Sequence, residues 1–275
     1  MGYKKEWFDD EVFWKVYAPI IFDDKHWAEV PEVADGVTRL AGLSLYRIGS
    51  SAAAGRQKPQ DAGPRVLDLC CGMGRITSEL ARRGFAATGV DICAALLETA
   101  REDAVYDELD IEYIQADARS FKRPGFFDTA VNLYISFGYF EDPAHDLLVA
   151  RNVCESLKPG GSFIIETLGK EIAARDFTPG EWFRRAGFTV LTEYESVDSW
   201  AGLKNRWVLL RDGSSEKIEK TFTQRLYSAT EIRSLLFEAG FSAVEIYGGW
   251  DESPYDQNAQ ALIAVGRLSS PPSLR

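Results

Sequence analysis

The chain has 275 residues, with 31 Lys and Arg against 42 Asp and Glu, a formal net charge of −11. Hydrophobic residues at 45% and charged residues at 27% match an ordinary globular chain and exclude disordered, collagenous and fibrous classes. The length suits one large domain or one domain with a sizeable insertion. Charges are scattered through the N-terminus, so no secretory signal is expected, and the most apolar segment, residues 130–140, is too short to span a membrane. Lipid anchoring is not expected, because Glu6 stands where a myristoylation motif wants Ser or Thr. Cys70, Cys71, Cys93 and Cys154 form no Cys-x-x-Cys pair; they read as small core residues, which predicts no metal site and a cytoplasmic location.

Trp7, Phe8, Phe13, Trp14, Tyr17, Phe22 and Trp27 crowd the first 30 residues. The i, i+3, i+4 spacing of Phe13, Val16 and Tyr17 predicts an amphipathic helix. Residues 31–48 open on Pro-Glu, repeat Val33, Val37, Leu40 and Leu43, and stop at Gly49, which predicts a second helix and an N-terminal helical cap over 1–48. Residues 49–64, rich in Gly, Ala, Ser and Pro, read as a flexible loop. Strands are then expected over 66–70, 87–90, 111–115, 129–133 and 163–167, with helices around 76–83, 94–102 and 146–157. Strand followed by helix, repeated, predicts a parallel sheet covered on both faces. After Thr167 the rhythm breaks into long segments over 188–200, 203–212 and 216–227, divided by Ala-Gly and Asp-Gly-Ser-Ser. These predict an antiparallel meander, a lid inserted over 168–227. A helix from Ser228 or Thr230 to Ala239-Gly240 and strands over 243–247 and 261–265 complete the sheet domain, 65–167 and 228–267, before a tail over 268–275.

The chemistry centres on VLDLCCGMGRIT, residues 66–77, where a strand runs into Gly72-x-Gly74 and a helix begins. Glycines there let a ligand approach the backbone, and the helix start offers free N–H groups. Asp91 closes the next strand in GVDI, where an acid can accept both hydroxyls of a ribose. Taken singly, Asp91 suits a helix cap and Asp117 a turn; together, at successive strand ends, they point to a nucleoside-containing cofactor. A dinucleotide site wants a third glycine where Thr77 stands. Asp68 would also repel a pyrophosphate but attract the α-amino group of an amino-acid cofactor, which favours S-adenosylmethionine over NAD.

With these motifs, plus IQADAR around Asp117, FDTAVNLYISFGYF and LKPGG at 157–161, residues 65–267 resemble a class I S-adenosylmethionine-dependent methyltransferase interrupted by the meander. The DLCCGMGR, SFGYF and YSATEIRSLLFEAGF segments are similar to a branch of small, mostly uncharacterised methyltransferases with an antiparallel lid. The fold then implied is α/β: a doubly wound, mostly parallel seven-stranded Rossmann-like sheet with N-terminal helices and the inserted meander. The resemblance implies that S-adenosyl-L-methionine is the cofactor and S-adenosyl-L-homocysteine the product. It sets Asp68 near the methionine amino group, Cys70 as a backbone contact, and Gly72 and Gly74 under the methionine and ribose. Asp91 would hold the ribose hydroxyls, Ile92 would pack on adenine, and Asp117 and Ala118 would meet its edge. Asn132 and Leu133, with Tyr134, would face the sulfonium, and Tyr17 would close the methionine end.

Methyl transfer from a sulfonium is an in-line displacement that rests on alignment and exclusion of water, so no catalytic base is named; His26 and His145 both read as structural. Tyr139, just past the fourth strand, and Arg206, Arg225 and Tyr227 of the meander are the substrate candidates, the arginines favouring an anionic substrate if they turn inward. A charge of −11 with no basic run opposes nucleic acid. The expected function is methyl transfer to nitrogen or oxygen of a small molecule. A protein or RNA methyltransferase, and a cofactor-binding protein without turnover, are the alternatives, and the sequence assigns no oligomeric state.

Overall fold

The computed structural model describes residues 6–43 and 63–270; the expected end of the second helix, nearly all of the 49–64 loop and the last five residues lie outside them. The cap holds α1 (Glu11–Ile21), α2 (Asp24–Ala28) and α3 (Val30–Leu40). Asp10 starts α1 by accepting from the N–H groups of Val12 and Phe13, as an N-cap carboxylate does. The second helix ends at Leu40, not in the 40s' last residues, because Gly42 turns the chain with φ of 65°.

The sheet domain follows as β1 (Arg65–Leu69), α4 (Arg75–Arg82), β2 (Ala86–Asp91), α5 (Ala94–Tyr106), β3 (Glu112–Gln115), β4 (Phe127–Asn132), α6 (Pro143–Ser156) and β5 (Leu157–Thr167). After the lid come α8 (Ala229–Ala239), β10 (Ala243–Tyr247) and β11 (Leu262–Arg267). The strand order is β10-β11-β5-β4-β1-β2-β3. The five strands from β5 to β3 are parallel, and β11 pairs antiparallel with both β5 and β10. Alternation divides the core between two faces. Leu67, Phe163 and Ile165 meet Val149, Val153, Ile232 and Leu236 of α6 and α8, while Val66, Val131 and Ile164 meet Val33, Val37, Ile76 and Leu80 of α3 and α4. Strands buried on both faces read as unbroken apolar runs, which is why these were visible in the sequence. LKPGG does not precede β5 but interrupts it: Phe127 pairs with Leu157 and Thr129 with Ser162, so four residues bulge between them.

The lid consists of α7 (Lys170–Arg175) and four antiparallel strands, β6 (Gly180–Arg185), β7 (Phe188–Val197), β8 (Gly202–Arg211) and β9 (Lys217–Arg225). Three strands were expected; β6 lies at the sheet edge with no buried residue, so it carries no apolar alternation. Phe188, Val190 and Leu209 pack on Phe13, Tyr17 and Ile20 of α1, making a core between lid and cap. At its other end the lid is tied to the sheet domain. Arg225 Nη1 donates to Asp146 Oδ2 at 2.5 Å, Tyr227 Oη donates to the same oxygen at 2.7 Å, and the Arg225 N–H donates to the Gly138 carbonyl at 2.6 Å. Asp146 is fully buried. Removing one partner of a buried pair leaves an uncompensated charge, so Arg225→Ala is expected to lose about 3 kcal/mol, read from the urea midpoint. The double variant Arg225→Ala/Asp146→Leu should recover part of that loss.

Candidate active site

A cavity of about 1040 Å³ lies over the carboxyl ends of β1, β2, β4 and β5, roofed by the cap and the lid. Ligands of open α/β sheets bind outside these strand ends. On its floor the chain turns sharply after β1: Cys70 (φ 63°), Gly72 (54°) and Gly74 (73°) are all left-handed. A Cβ on Gly72 would approach only Phe22, at 3.5 Å, so this backbone is open to the cavity. On Gly74 it would sit 2.2 Å from Tyr113 Oη. Gly74 does not line the cavity, correcting its place under the ligand; it is a glycine so that β3 can pack against the loop.

Asp91 stands beside this loop. Its Oδ2 accepts from the Gly72 N–H at 2.8 Å and its Oδ1 from the Cys93 N–H at 2.9 Å, leaving lone pairs on each oxygen toward the cavity. Burial pushes its pKa up against the pull of those N–H groups. Asp68, at the end of β1, is 4% exposed, accepts from Thr77 Oγ1 at 2.5 Å, and burial pushes its pKa up to about 6. Cys70, Ile92, Ala118 and Leu133 line the cavity. Asp117 lines it too, but both its oxygens accept from the Arg119 guanidinium, at 2.6 to 3.0 Å. That leaves the Ala118 backbone as the less encumbered polar contact on this wall.

Several expected residues stand elsewhere. Asn132 is buried behind the wall, with Nδ2 donating to the Leu69 carbonyl at 2.9 Å. Tyr17 is 1% exposed, stacks on Phe13 at 4.2 Å and faces the lid core, so it closes nothing; helical spacing turns Trp14, Ile21 and Phe22 to the cavity instead. Arg206 lies on the outer face of the lid, paired to Glu193 and Glu219 at 2.8 and 2.7 Å. Arg225 and Tyr227 are spent on Asp146. The anionic-substrate expectation therefore falls, because neither arginine lines the cavity. Of the four substrate candidates, Tyr139 alone does.

Glu166, Arg75 and His26 were not foreseen at the cavity, whereas Tyr134, which they surround, was. Glu166, last but one in β5, accepts from the Tyr134 N–H at 2.5 Å, and burial with Glu29 nearby pushes its pKa up to about 7. Tyr134 and Ile135 are consecutive left-handed residues, φ 51° and 60°, a strained turn that a β-branched side chain rarely adopts. Arg75 opens α4, lies 4.3 Å over the Tyr134 ring, and donates to the His26 carbonyl at 2.7 Å. His26 lines the same wall with Nδ1 bonded to Asp23. A charged residue inside the apolar run Phe163–Thr167 was the one available signal for Glu166.

A cleft over the β1–β2 ends of a doubly wound sheet, with Asp91 on its floor, lies where such sheets take nucleoside-containing ligands. Residues 66–161 match the family model described as a methyltransferase domain. Ubiquinone biosynthesis O-methyltransferase of Nitrosococcus oceani is 35% identical over 111 residues, 40% of this chain and 45% of that protein. The chain spans about half the length of the curated relatives it matches. The CcbJ methyltransferase from Streptomyces caelestis has a TM-score of 0.69 at 19% identity, covering 88% of this chain and 90% of that one. An S-adenosylmethionine-dependent methyltransferase from Clostridium acetobutylicum also scores 0.69, at 16% identity over 94% and 97% of the two chains. At such identities the superpositions speak for the fold alone. Residues 66–161 thus match a methyltransferase domain, and the whole chain shares the fold of S-adenosylmethionine-dependent methyltransferases. Its donor set fits that cofactor: an acid with free lone pairs for a ribose, a second buried acid for an ammonium, and apolar Ile92, Leu96 and Ala116 between them and the lid.

In the same direction as the buried Asp91 and Asp146, Asp68 and Glu166 contribute to the pH dependence of the ligand-free protein. Both have folded pKa values above their ordinary 3.8 and 4.5, so the folded state holds more protons and stability falls as pH rises from about 4 to about 7. Asp68 alone accounts for on the order of 3 kcal/mol, from about 1.4 kcal/mol per unit of pKa. Asp68→Asn should equal wild type in urea midpoint below pH 4 and exceed it at pH 8; a variant less stable at pH 8 would contradict the account.

Proposed function

We propose that the protein transfers the methyl group of S-adenosyl-L-methionine to a nitrogen or oxygen of a small molecule. The observation that carries this reading is the continuous cavity of about 1040 Å³ running from Asp91 to the inner face of the lid. Sites for one small ligand occupy about 300–1,000 Å³, so this one has room for a cofactor and a second molecule. Bound there, the cofactor supplies an electrophilic methyl group on a sulfonium. Asp91 would accept hydrogen bonds from the ribose hydroxyls, while its bonds from the Gly72 and Cys93 N–H groups hold the loop beside it. Asp68 faces the amino group, whose positive charge favours the ionised carboxylate. Ile92 and Leu96 cover the adenine, with the Ala118 backbone at its edge. Tyr134, held by Glu166, shapes the wall between cofactor and acceptor.

The roof keeps water out: Trp7 stacks on Phe222 at 4.4 Å and meets Tyr139 edge-on at 5.2 Å. Preventing hydrolysis and aligning nucleophile with methyl group are what this chemistry asks of a protein. His26, with its ring oriented by Asp23, is the wall group suited to hold a proton released by a hydroxyl or ammonium acceptor. Small-molecule acceptors fit a site closed by cap and lid, while the net charge of −11 works against RNA. Four free thiols suit a reducing compartment such as cytoplasm.

Incubation with tritiated-methyl S-adenosylmethionine and three separate pools, small metabolites, proteins and RNA, tests the reading. Label is expected in the metabolite pool. Label in protein or RNA alone would overturn it, and bound cofactor with no label anywhere would make this a binding protein without turnover.

A further inference from the structure

The inner face of the lid carries an arrangement that the cofactor does not use. Alternation along β8 and β9 turns Leu203, Asn205, Trp207, Phe222 and Gln224 to the cavity and sends the lid's charges outward except Lys220, which shares the inner face but is paired to Asp10 of the cap at 2.9 Å. Outside lie Lys204–Glu195, Arg206–Glu193 and Lys217–Glu219. Glu181 and Asp176, which also touch the cavity, are exposed at its rim. The roof is therefore uncharged where it is buried.

It is not apolar throughout. Gln224 is 3% exposed, and its Nε2 has no acceptor among the described residues; the same holds for Trp207 Nε1, and for Trp7 Nε1 on the cap. All three residues line the cavity. Asn205, between them, has its Nδ2 bonded to the Leu203 carbonyl at 2.8 Å. Buried N–H groups left without partners cost about 1–3 kcal/mol each, so a site that keeps them is matched to acceptor atoms on a ligand. Register fixes their spacing. Leu203 pairs with Gln224, Asn205 with Phe222 and Trp207 with Lys220, which sets the Gln224 and Trp207 backbone positions about 13 Å apart along the strand direction, on either side of Phe222. The donors bracket an aromatic surface, built by Phe222 on Trp7 with Tyr139 at the edge.

We infer that the methyl acceptor is a neutral, ring-bearing molecule with hydrogen-bond-accepting oxygens on opposite sides of the ring, oriented by Gln224 and Trp207. This rests on the cofactor reading above and deepens it. The aromatic walls take the ring, and the amide and indole N–H groups take the oxygens. An anionic acceptor meets no uncommitted cation here, since Lys220 is paired to Asp10 and Arg75, on the wall, donates to the His26 carbonyl and lies over the Tyr134 and Phe22 rings; a cationic one finds no acceptor at the three N–H groups.

Calorimetric titration of the protein saturated with S-adenosylhomocysteine tests this with four probes of one shape: 4-methoxyphenol, p-xylene, 4-methylbenzylamine and 4-methylbenzoate. Wild type is expected to bind 4-methoxyphenol at least about tenfold more tightly than the other three. In Gln224→Leu, and separately in Trp207→Phe, that preference over p-xylene should shrink about fivefold or more while S-adenosylhomocysteine affinity is unchanged. Equal binding of 4-methoxyphenol and p-xylene, a preference for the amine or the carboxylate, or a preference untouched in both variants overturns the inference alone. Failure of S-adenosylhomocysteine to bind wild type overturns the cofactor reading, and this inference with it.

Discussion

One carboxylate organises the floor of the cleft. Asp91 closes β2 and accepts from Gly72 on one side and Cys93 on the other, so the glycine loop after β1 and the start of α5 are held by the same group. The Cys70 and Cys71 N–H groups donate to the Val90 carbonyl just before it, adding backbone bonds to the same junction. Neutralising Asp91 by substitution would release the loop as well as remove a ligand contact. Its raised pKa reflects burial that a bound ribose can offset by donating hydrogen bonds to the ionised form.

The roof depends on different physics. The lid is a four-stranded sheet whose inner face is completed at one end by aromatic packing on α1 and at the other by the buried Asp146–Arg225–Tyr227 cluster. The apolar contacts are non-directional, whereas the buried ion pair is directional and intolerant of loss. Arg225 also donates to the carbonyls of Phe140 and Glu141, so the last lid strand and the loop that carries Tyr139 share one anchor. A residue read as a substrate contact is thereby a fixed point of the wall that contains the substrate.

The sheet was legible because parallel strands buried on both faces are apolar runs and because turn residues punctuate them; Val66–Leu69 and Phe163–Ile165 are examples. Asp68 and Asp91 stood out for a related reason, being acids at the ends of apolar strands. What was not legible depended on contacts distant in sequence. Tyr17 shares a helix with Trp14, and only the lid's position decides which of them meets the cavity. Arg206 and Arg225 fall on the outer parity of their strands, but nothing local indicates that Glu193, Glu219 and Asp146 already hold them. Gln224 sits between Phe222 and Leu226 on the apolar parity, a polar residue that reads as an irregularity until the cavity is seen beneath it. β6, polar and at an edge, offered no pattern.

The central claim is that Asp91 and the glycine loop hold the ribose of S-adenosylmethionine. Its most direct test is calorimetric titration of wild type and Asp91→Ala with S-adenosylhomocysteine and with NAD. The account predicts that S-adenosylhomocysteine binds wild type, that NAD does not, and that Asp91→Ala loses roughly 10- to 100-fold in affinity, the worth of charge-assisted hydrogen bonds to two hydroxyls. Binding of NAD in preference, or S-adenosylhomocysteine binding unchanged by loss of Asp91, would contradict it.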